Sequence, residues 1–330
     1  MRGESVKLAH PFLIVKEGLS FNRVQLSTFH LLRIMDFWAY IPQLLSSGIT
    51  MGAIYALVAL GFVTISRASQ IINFAQGEFV MLGGVITFFL LNGVRLPYPV
   101  AALVAIVIVV LIGFGMYLSV LYPLRKASIL ILIMATLGIS IFLSSTSGLV
   151  FGTLPKTLPP FSSKQPLHVG GISVLPQSVW VLVSALVSLI FLYLLSHRTL
   201  LGKAMEASST DPLGADLLGI SRSLMVFLAF GVSAGVGAFA GILITPIFFT
   251  SYNSGTLLGL KGFIAAVLGG WGKNSGAILG GFVLGIVESL SLAFIPSGYK
   301  DAVAFVILLL ILYFRPKGIL GSPFIDSRRW

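Results

Sequence analysis

The sequence predicts an all-α polytopic membrane protein with eight to ten transmembrane or re-entrant helices. Three observations carry that expectation. Mean hydropathy is +1.03. Hydrophobic residues make up 57% of the chain and charged residues only 9%, against about 25% charged in a soluble domain. The charges are also far apart: no Asp, Glu, Lys or Arg lies between Asp36 and Arg67, between Arg95 and Arg125, or between Lys126 and Lys156. Crossing about 30 Å of hydrocarbon takes roughly 20 apolar residues as helix, and each gap is long enough. Helix is the expected backbone, because lipid offers no partner to free N–H and C=O groups. A membrane β-barrel would alternate apolar and polar residues in strands, and these stretches do not alternate.

Nine hydrophobic segments follow one another: Ile41–Ile65, Glu78–Asn92, Pro97–Leu121, Ile129–Phe151, Ser178–Leu195, Leu224–Phe249, Leu257–Trp271, Gly276–Leu292 and Asp301–Phe314. Glu78–Asn92, Leu257–Trp271 and Asp301–Phe314 are short, as re-entrant or broken helices are. Such helices are tolerated only inside protein or along a wet cavity.

The net charge is +11. In a soluble protein it would suggest nucleic acid, but orientation in the membrane explains it better here, and no nucleic acid is expected. With the loop Ser196–Ser223 inside, Arg67, Arg125, Lys126, Arg198, Lys203, Arg222, Lys273, Arg315, Lys317, Arg328 and Arg329 face inward. Arg95, Lys156, Lys164, Lys261 and Lys300 face outward. The bias fits the rule that positive loops stay inside. Residues 1–34 carry Arg2, Lys7, Lys16, Arg23 and Arg33 on the wrong side. They read either as an artefact of start assignment, with the Met35–Trp330 form fully functional, or as an amphipathic surface arm. The membrane body is expected over 35–321, with a tail over 322–330. The chain has no cysteine, which excludes disulfides and thiolate metal sites.

The inward loop is the most informative stretch. Asp211 can cap a helix, Pro212 suits its first position and Gly219 suits the residue after its end. A helix from Pro212 to Leu218 is expected, with Leu213, Leu217 and Leu218 largely on one side. It enters a groove in another chain or lies on the lipid surface; the spacing leaves both open. Asn73 can cap the segment that begins near Glu78, with Gln76 three residues on as in a capping box. An ionisable residue at membrane depth is a functional candidate, but an ordinary helix start with a wet Glu78 explains the same spacing. Four GxxxG pairs, Gly231/Gly235, Gly237/Gly241, Gly276/Gly280 and Gly281/Gly285, suit close helix packing. Gly231-Val232-Ser233-Ala234-Gly235 matches the pattern of a nucleophile elbow. It lies inside a spanning segment rather than at a strand-to-helix turn, and the four histidines, His10, His30, His168 and His197, supply no base at that depth. No His/Asp/Glu cluster suggests a metal. No GxxxxGK[ST] phosphate loop occurs, so no cofactor is expected on this chain and ATP, if used, is hydrolysed on a partner.

Four stretches resemble the LivH-type branched-chain amino acid permease family of ABC importers. They are Ile72–Glu78 (INFAQGE), Pro123–Arg125 followed by Ala135–Ser140 (ATLGIS), Ala265–Gly270 leading to Gly276–Gly281, and Phe314–Gly318 (FRPKG), in family order over Ile41–Gly321. The resemblance implies two related halves and a multi-pass permease in a bacterial inner membrane. It implies as partners a second homologous permease subunit, two cytoplasmic ATP-binding subunits and a periplasmic substrate-binding protein, besides membrane lipid. It implies branched-chain amino acids as substrate; urea, amides or aromatic acids are alternatives within the family. Asn73, Gln76, Gly77, Glu78, Gly269 and Gly270 become substrate-pathway residues, with the Asn73–Glu78 and Gly269–Gly276 turns expected to approach one another. Lys203–Ile220 becomes the coupling region, with Glu206, Asp211, Leu213, Leu217 and Gly219 facing the ATPase. Met205 and Glu206 depart from the basic residue common in relatives. An ion-coupled secondary transporter is the competing class, with Glu78, Glu288 and Asp301 as its acidic candidates.

Overall fold

The computed structural model describes residues 23–69, 71–163, 165–169 and 172–320. Met1–Ile41 is a unit distinct from the body, Pro42–Trp330. Of the arm expected over 1–34, residues 1–22 lie outside the described residues, as does the tail over 322–330.

The helices are α1 (Arg23–Ser69), α2 (Gln76–Asn92), α3 (Tyr98–Met116, continued by a π-helical turn to Leu121), α4 (Ile129–Phe151), α5 (Pro176–Arg198), α6 (Leu200–Thr210), α7 (Pro212–Leu217), α8 (Arg222–Ile244), α9 (Ser254–Gly269), α10 (Asn274–Ser291) and α11 (Lys300–Phe314). A short antiparallel hairpin, β1 (Leu167–Val169) and β2 (Ile172–Val174), interrupts them before α5. Among the described residues seven helices are long and apolar enough to cross a membrane. α11 reaches that length only with the 3-10 turn that begins at Ser297. The 17 residues of α2 and 16 of α9 rise only about 25 Å at 1.5 Å each, so neither crosses alone.

The GxxxG pairs sit at helix contacts, as their spacing predicts. On α8, Gly231 and Gly235 face Phe114 and Val110 of α3, while Gly237 and Gly241 face Phe79 and Val80 of α2. On α10, Gly276 and Gly280 face Gly269 and Ala265 of α9, while Gly281 and Gly285 face Ala56 and Gly52 of α1. Each helix thus presents two smooth faces: side chains of α3 fill the space at Gly231 and Gly235, and backbone approaches directly at Gly241, Gly276, Gly280, Gly281 and Gly285, where a side chain would hold the helices apart.

These contacts form a matched set. α8 packs on α2 and α3; α1 packs on α9 and α10. α2 packs on α3 and α4; α9 packs on α10 and α11. Helices α1–α4 therefore play toward α8 and α9 the part that α8–α11 play toward α1 and α2. This is the contact pattern expected of two related halves.

The hairpin end is tied by Gln43, whose amide donates to Ser173 O at 2.9 Å and whose Oε1 accepts from Ser173 N at 2.9 Å. At the opposite end, where α5 passes into α6, residues 318–320 fold back on α9. Ile319 N donates to Leu268 O and Leu320 N to Gly269 O.

Candidate functional site

The chain between α1 and α2 turns back into the bundle. Gln76, the first residue of α2, packs beside Gly61, which lies eight residues, or about 12 Å, before the end of α1 at Ser69. Gln76 Nε2 donates to Ser233 O at 3.2 Å. Ser233 Oγ lies 2.6 Å from Gln76 Oε1 and 2.8 Å from Gly61 O, and its single proton serves one of them. The serine of the GxSxG pattern is therefore a partner that fixes Gln76, consistent with rejecting it as a nucleophile.

The expected capping box does not form. Ala75 is the N-cap of α2 and no side chain caps it. Asn73 stands two residues too early; its Oδ1 accepts from Ala75 N at 3.1 Å. Gln76 is engaged across the bundle rather than with its own helix start. Glu78 is not wet either: it is 0% exposed. Its Oε1 accepts from Ser140 Oγ of α4 at 2.9 Å and from Thr256 Oγ1 of α9 at 3.1 Å.

Gly77 makes this arrangement possible. A Cβ there would overlap Gly255 O and Gly259 of α9, so α2 and α9 meet start against start with no side chain between them. Gly77→Ala is expected to push the two helices apart at a cost of about 1–3 kcal/mol. Gly138→Ala is the control, because a Cβ there meets nothing within 4 Å. Thermal unfolding of the two purified variants checks this: equal melting would show that the α2–α9 contact has slack.

The two turns expected to meet do not. Gly77 meets Gly255 and Gly259, whereas Gly269 lies ten residues further along α9, about 15 Å by helical rise. Gly269 packs on Gly276, and Gly270 (φ +115°) packs against residues 317–320. Sequence order placed the α9–α10 turn beside α2 because both precede short segments. The helix whose start faces α2 is α9 itself.

In the loop, Asp211 Oδ1 accepts from Gly214 N at 3.1 Å, and α7 starts at Pro212 and ends at Leu217. Gly219 takes φ +77°, and Ile220 N donates to Ala215 O at 2.9 Å. Start, cap and stop all fall as expected, with the last helical residue one earlier. Leu213, Leu217 and Leu218 are 78%, 89% and 80% exposed. Glu206 of α6 forms an ion pair with Arg67 of α1 at 3.2 Å, which ties the loop to the helix that carries Gly61.

A family model for the branched-chain amino acid transport system / permease component matches residues 44–312. The high-affinity branched-chain amino acid transport system permease protein LivH of Escherichia coli (strain K12) is 33% identical over 304 residues, 87% of this chain and 98% of the relative. The chain belongs to the branched-chain amino acid transport permease family. The BraD permease of Pseudomonas aeruginosa is 32% identical, covering 88% of this chain and 99% of the relative. The autoinducer 2 import system permease protein LsrC of Salmonella choleraesuis is 30% identical, covering 82% and 78%. No solved structure matches the chain.

In this permease Lys261, counted among the outward-facing cations, is not a free surface charge. It lies within α9 and is buried. Its Nζ is 2.7 Å from Glu288 Oε1 and 2.6 Å from Asp301 Oδ1, and donates to Tyr55 OH at 3.2 Å. Lys300 Nζ lies 3.3 Å from Glu288 Oε1. Removing Lys261 from the outward set leaves four of five, so the inward bias grows. Glu288 and Asp301 are thereby neutralised by lysines, which removes two of the three acidic candidates for binding a coupling ion.

Sequence reasoning gave Ser140, Ser233, Thr256 and Lys261 none of the contacts they make here. Ser140 and Thr136 had a signal: they are one turn apart on α4, and Thr136 Oγ1 accepts from Phe74 N at 3.3 Å just as Ser140 meets Glu78.

Proposed function

We propose that this permease is the membrane-spanning subunit of a bacterial inner-membrane importer that moves branched-chain amino acids. In this reading it pairs with a second homologous permease. ATP is hydrolysed on two cytoplasmic subunits that dock on α7, and a periplasmic binding protein delivers substrate at the hairpin end. The observation that carries the reading is the likeness to LivH over nearly the whole of both chains. The likeness to LsrC covers only 78% of that relative, which favours amino acids over autoinducer 2.

The pathway is assigned to the junction of α2 and α9, with Asn73, Gln76 and Glu78 along it. Two supports bear on this. Broken helices in corresponding positions of two halves mark transport sites. Ionisable groups at membrane depth are retained for function. Reconstitution of the permease with its partners in proteoliposomes is expected to give L-leucine uptake that requires ATP and persists when ion gradients are collapsed. Uptake that follows an ion gradient without ATP would sink the importer reading.

A further inference from the structure

Among the described residues five buried side-chain atoms have no hydrogen-bond partner: Asn73 Nδ2, Glu78 Oε2, Tyr98 OH, Asn274 Oδ1 and Glu288 Oε2. Buried polar atoms are nearly always paired, so each such atom needs a reason. Tyr98 begins α3 and Asn274 begins α10, each on a different element from the turn that carries Asn73 and Glu78. Glu288 belongs to a carboxylate already held by Lys261 and Lys300. Asn73 and Glu78 remain. They stand five residues apart on one turn of chain, and they are 1% and 0% exposed.

Their chemistry is complementary. Asn73 Oδ1 is committed to Ala75 N, which fixes the amide and leaves its N–H groups as free donors. Glu78 Oε1 takes both Ser140 and Thr256, which leaves Oε2 as a free acceptor. Among the described residues no Lys or Arg forms an ion pair with Glu78. A buried carboxylate without a cation is costly. Here the start of α9 offsets part of that cost, since a Cβ on Gly255 would overlap Glu78 Oε2 and helix starts favour negative charge. On α4, Thr136 Oγ1 accepts from Phe74 N and Ser140 Oγ donates to Glu78 Oε1, so the turn runs along one face of that helix. A free donor and a free anionic acceptor on one short turn offer partners of the kind that the two ends of a small zwitterion need.

We propose that Asn73 and Glu78 form a transient binding point for a zwitterionic α-amino acid, Glu78 Oε2 accepting from its ammonium and Asn73 Nδ2 donating to its carboxylate. The proposal rests on the amino acid reading above. Both atoms are buried, so the point opens only when the starts of α2 and α9 part. Urea, an amide or a carboxylic acid lacking an ammonium would leave the Glu78 charge unanswered. Glu78 is then a specificity-determining residue, and the binding protein is not the sole selector.

The complete importer, with its second permease, ATPase subunits and binding protein, is assayed in proteoliposomes with radiolabelled L-leucine. Glu78→Gln keeps the shape and the contacts to Ser140 and Thr256. It is expected to lower kcat by roughly ten-fold or more while the half-saturating concentration of leucine-loaded binding protein holds. Glu78→Asp, which keeps the charge, should retain more turnover than Glu78→Gln. Because the chain has no cysteine, Thr256→Cys places one thiol beside Glu78. With ATP present, a cationic ethylammonium thiosulfonate should modify it faster than an anionic ethylsulfonate thiosulfonate, and adding Glu78→Gln should erase that preference. Wild-type turnover in Glu78→Gln, or no charge preference at the thiol, overturns the proposal. So does a fall in uptake that only mirrors a fall in membrane abundance. A wild-type assembly that takes up no L-leucine strikes instead at the amino acid reading, and the thiol measurement still scores Glu78.

Discussion

Lys261→Met is expected to be among the most damaging single substitutions in the bundle. Lys261 joins three helices to a fourth: it meets Glu288 of α10, Asp301 of α11 and Tyr55 of α1 from its own place on α9. Two lysines and two carboxylates make the cluster neutral, and Glu288 within it is fully buried. Methionine matches the stem of lysine in length but removes the cation. Glu288 is then left with Lys300 at 3.3 Å as its remaining cation, and Asp301 loses its closest one. Removing one partner of a buried pair costs about 3–5 kcal/mol, because the other charge stays desolvated. Removing both is often close to neutral. Lys261→Met should therefore accumulate poorly and melt early in detergent, and Lys261→Met/Glu288→Gln should recover most of the loss. A single variant with wild-type abundance and melting would mean that water reaches Glu288 and that the cluster contributes little. The exposed Arg67–Glu206 pair is the opposite case: Glu206→Gln should cost less than about 1 kcal/mol.

The fold was legible because lipid constrains it so strongly. Charge-free runs such as 37–66 and 96–124 admit little but spanning helices, and the glycine pairs fell at helix contacts because their period is that of a helix. The α7 loop was legible for a local reason: Asp211, Pro212 and Gly219 act within a few residues of themselves. The site was less so. Which helix start faces α2 depends on tertiary pairing, and sequence order suggested Gly269–Gly276 where the fold supplies Gly255 and Thr256. Lys261 was misread for a related cause. A lone lysine near the start of a short segment counts as an outward-facing cation until Glu288 and Asp301, 27 and 40 residues later, are brought against it. Asn73 and Gln76 had the spacing of a capping box, but Ser233, 157 residues away, competes for Gln76 and wins.

Leu217→Asp is expected to uncouple the importer without disturbing the permease itself. The chain has no phosphate loop, so in the proposed reading ATP energy reaches it only by contact. α7 is built to present a surface: Asp211 caps it, Gly219 ends it, and Leu213 and Leu217 stand one turn apart on the same face, both exposed. Apolar anchors entering a groove dominate such contacts, at about 2 kcal/mol or more each. Aspartate at Leu217 replaces the anchor with a charge that the groove must bury unpaired, so the ATPase should bind at least roughly thirty-fold more weakly. The permease should insert and accumulate as before, since Leu217 is 89% exposed and its side chain holds little of the fold. Co-purification of the ATPase, substrate-stimulated hydrolysis and uptake should fall together. A Leu217→Asp importer with normal stimulation and uptake would leave α7 as a helix lying on the lipid surface, and the route from ATP to the α2–α9 junction would have to enter elsewhere.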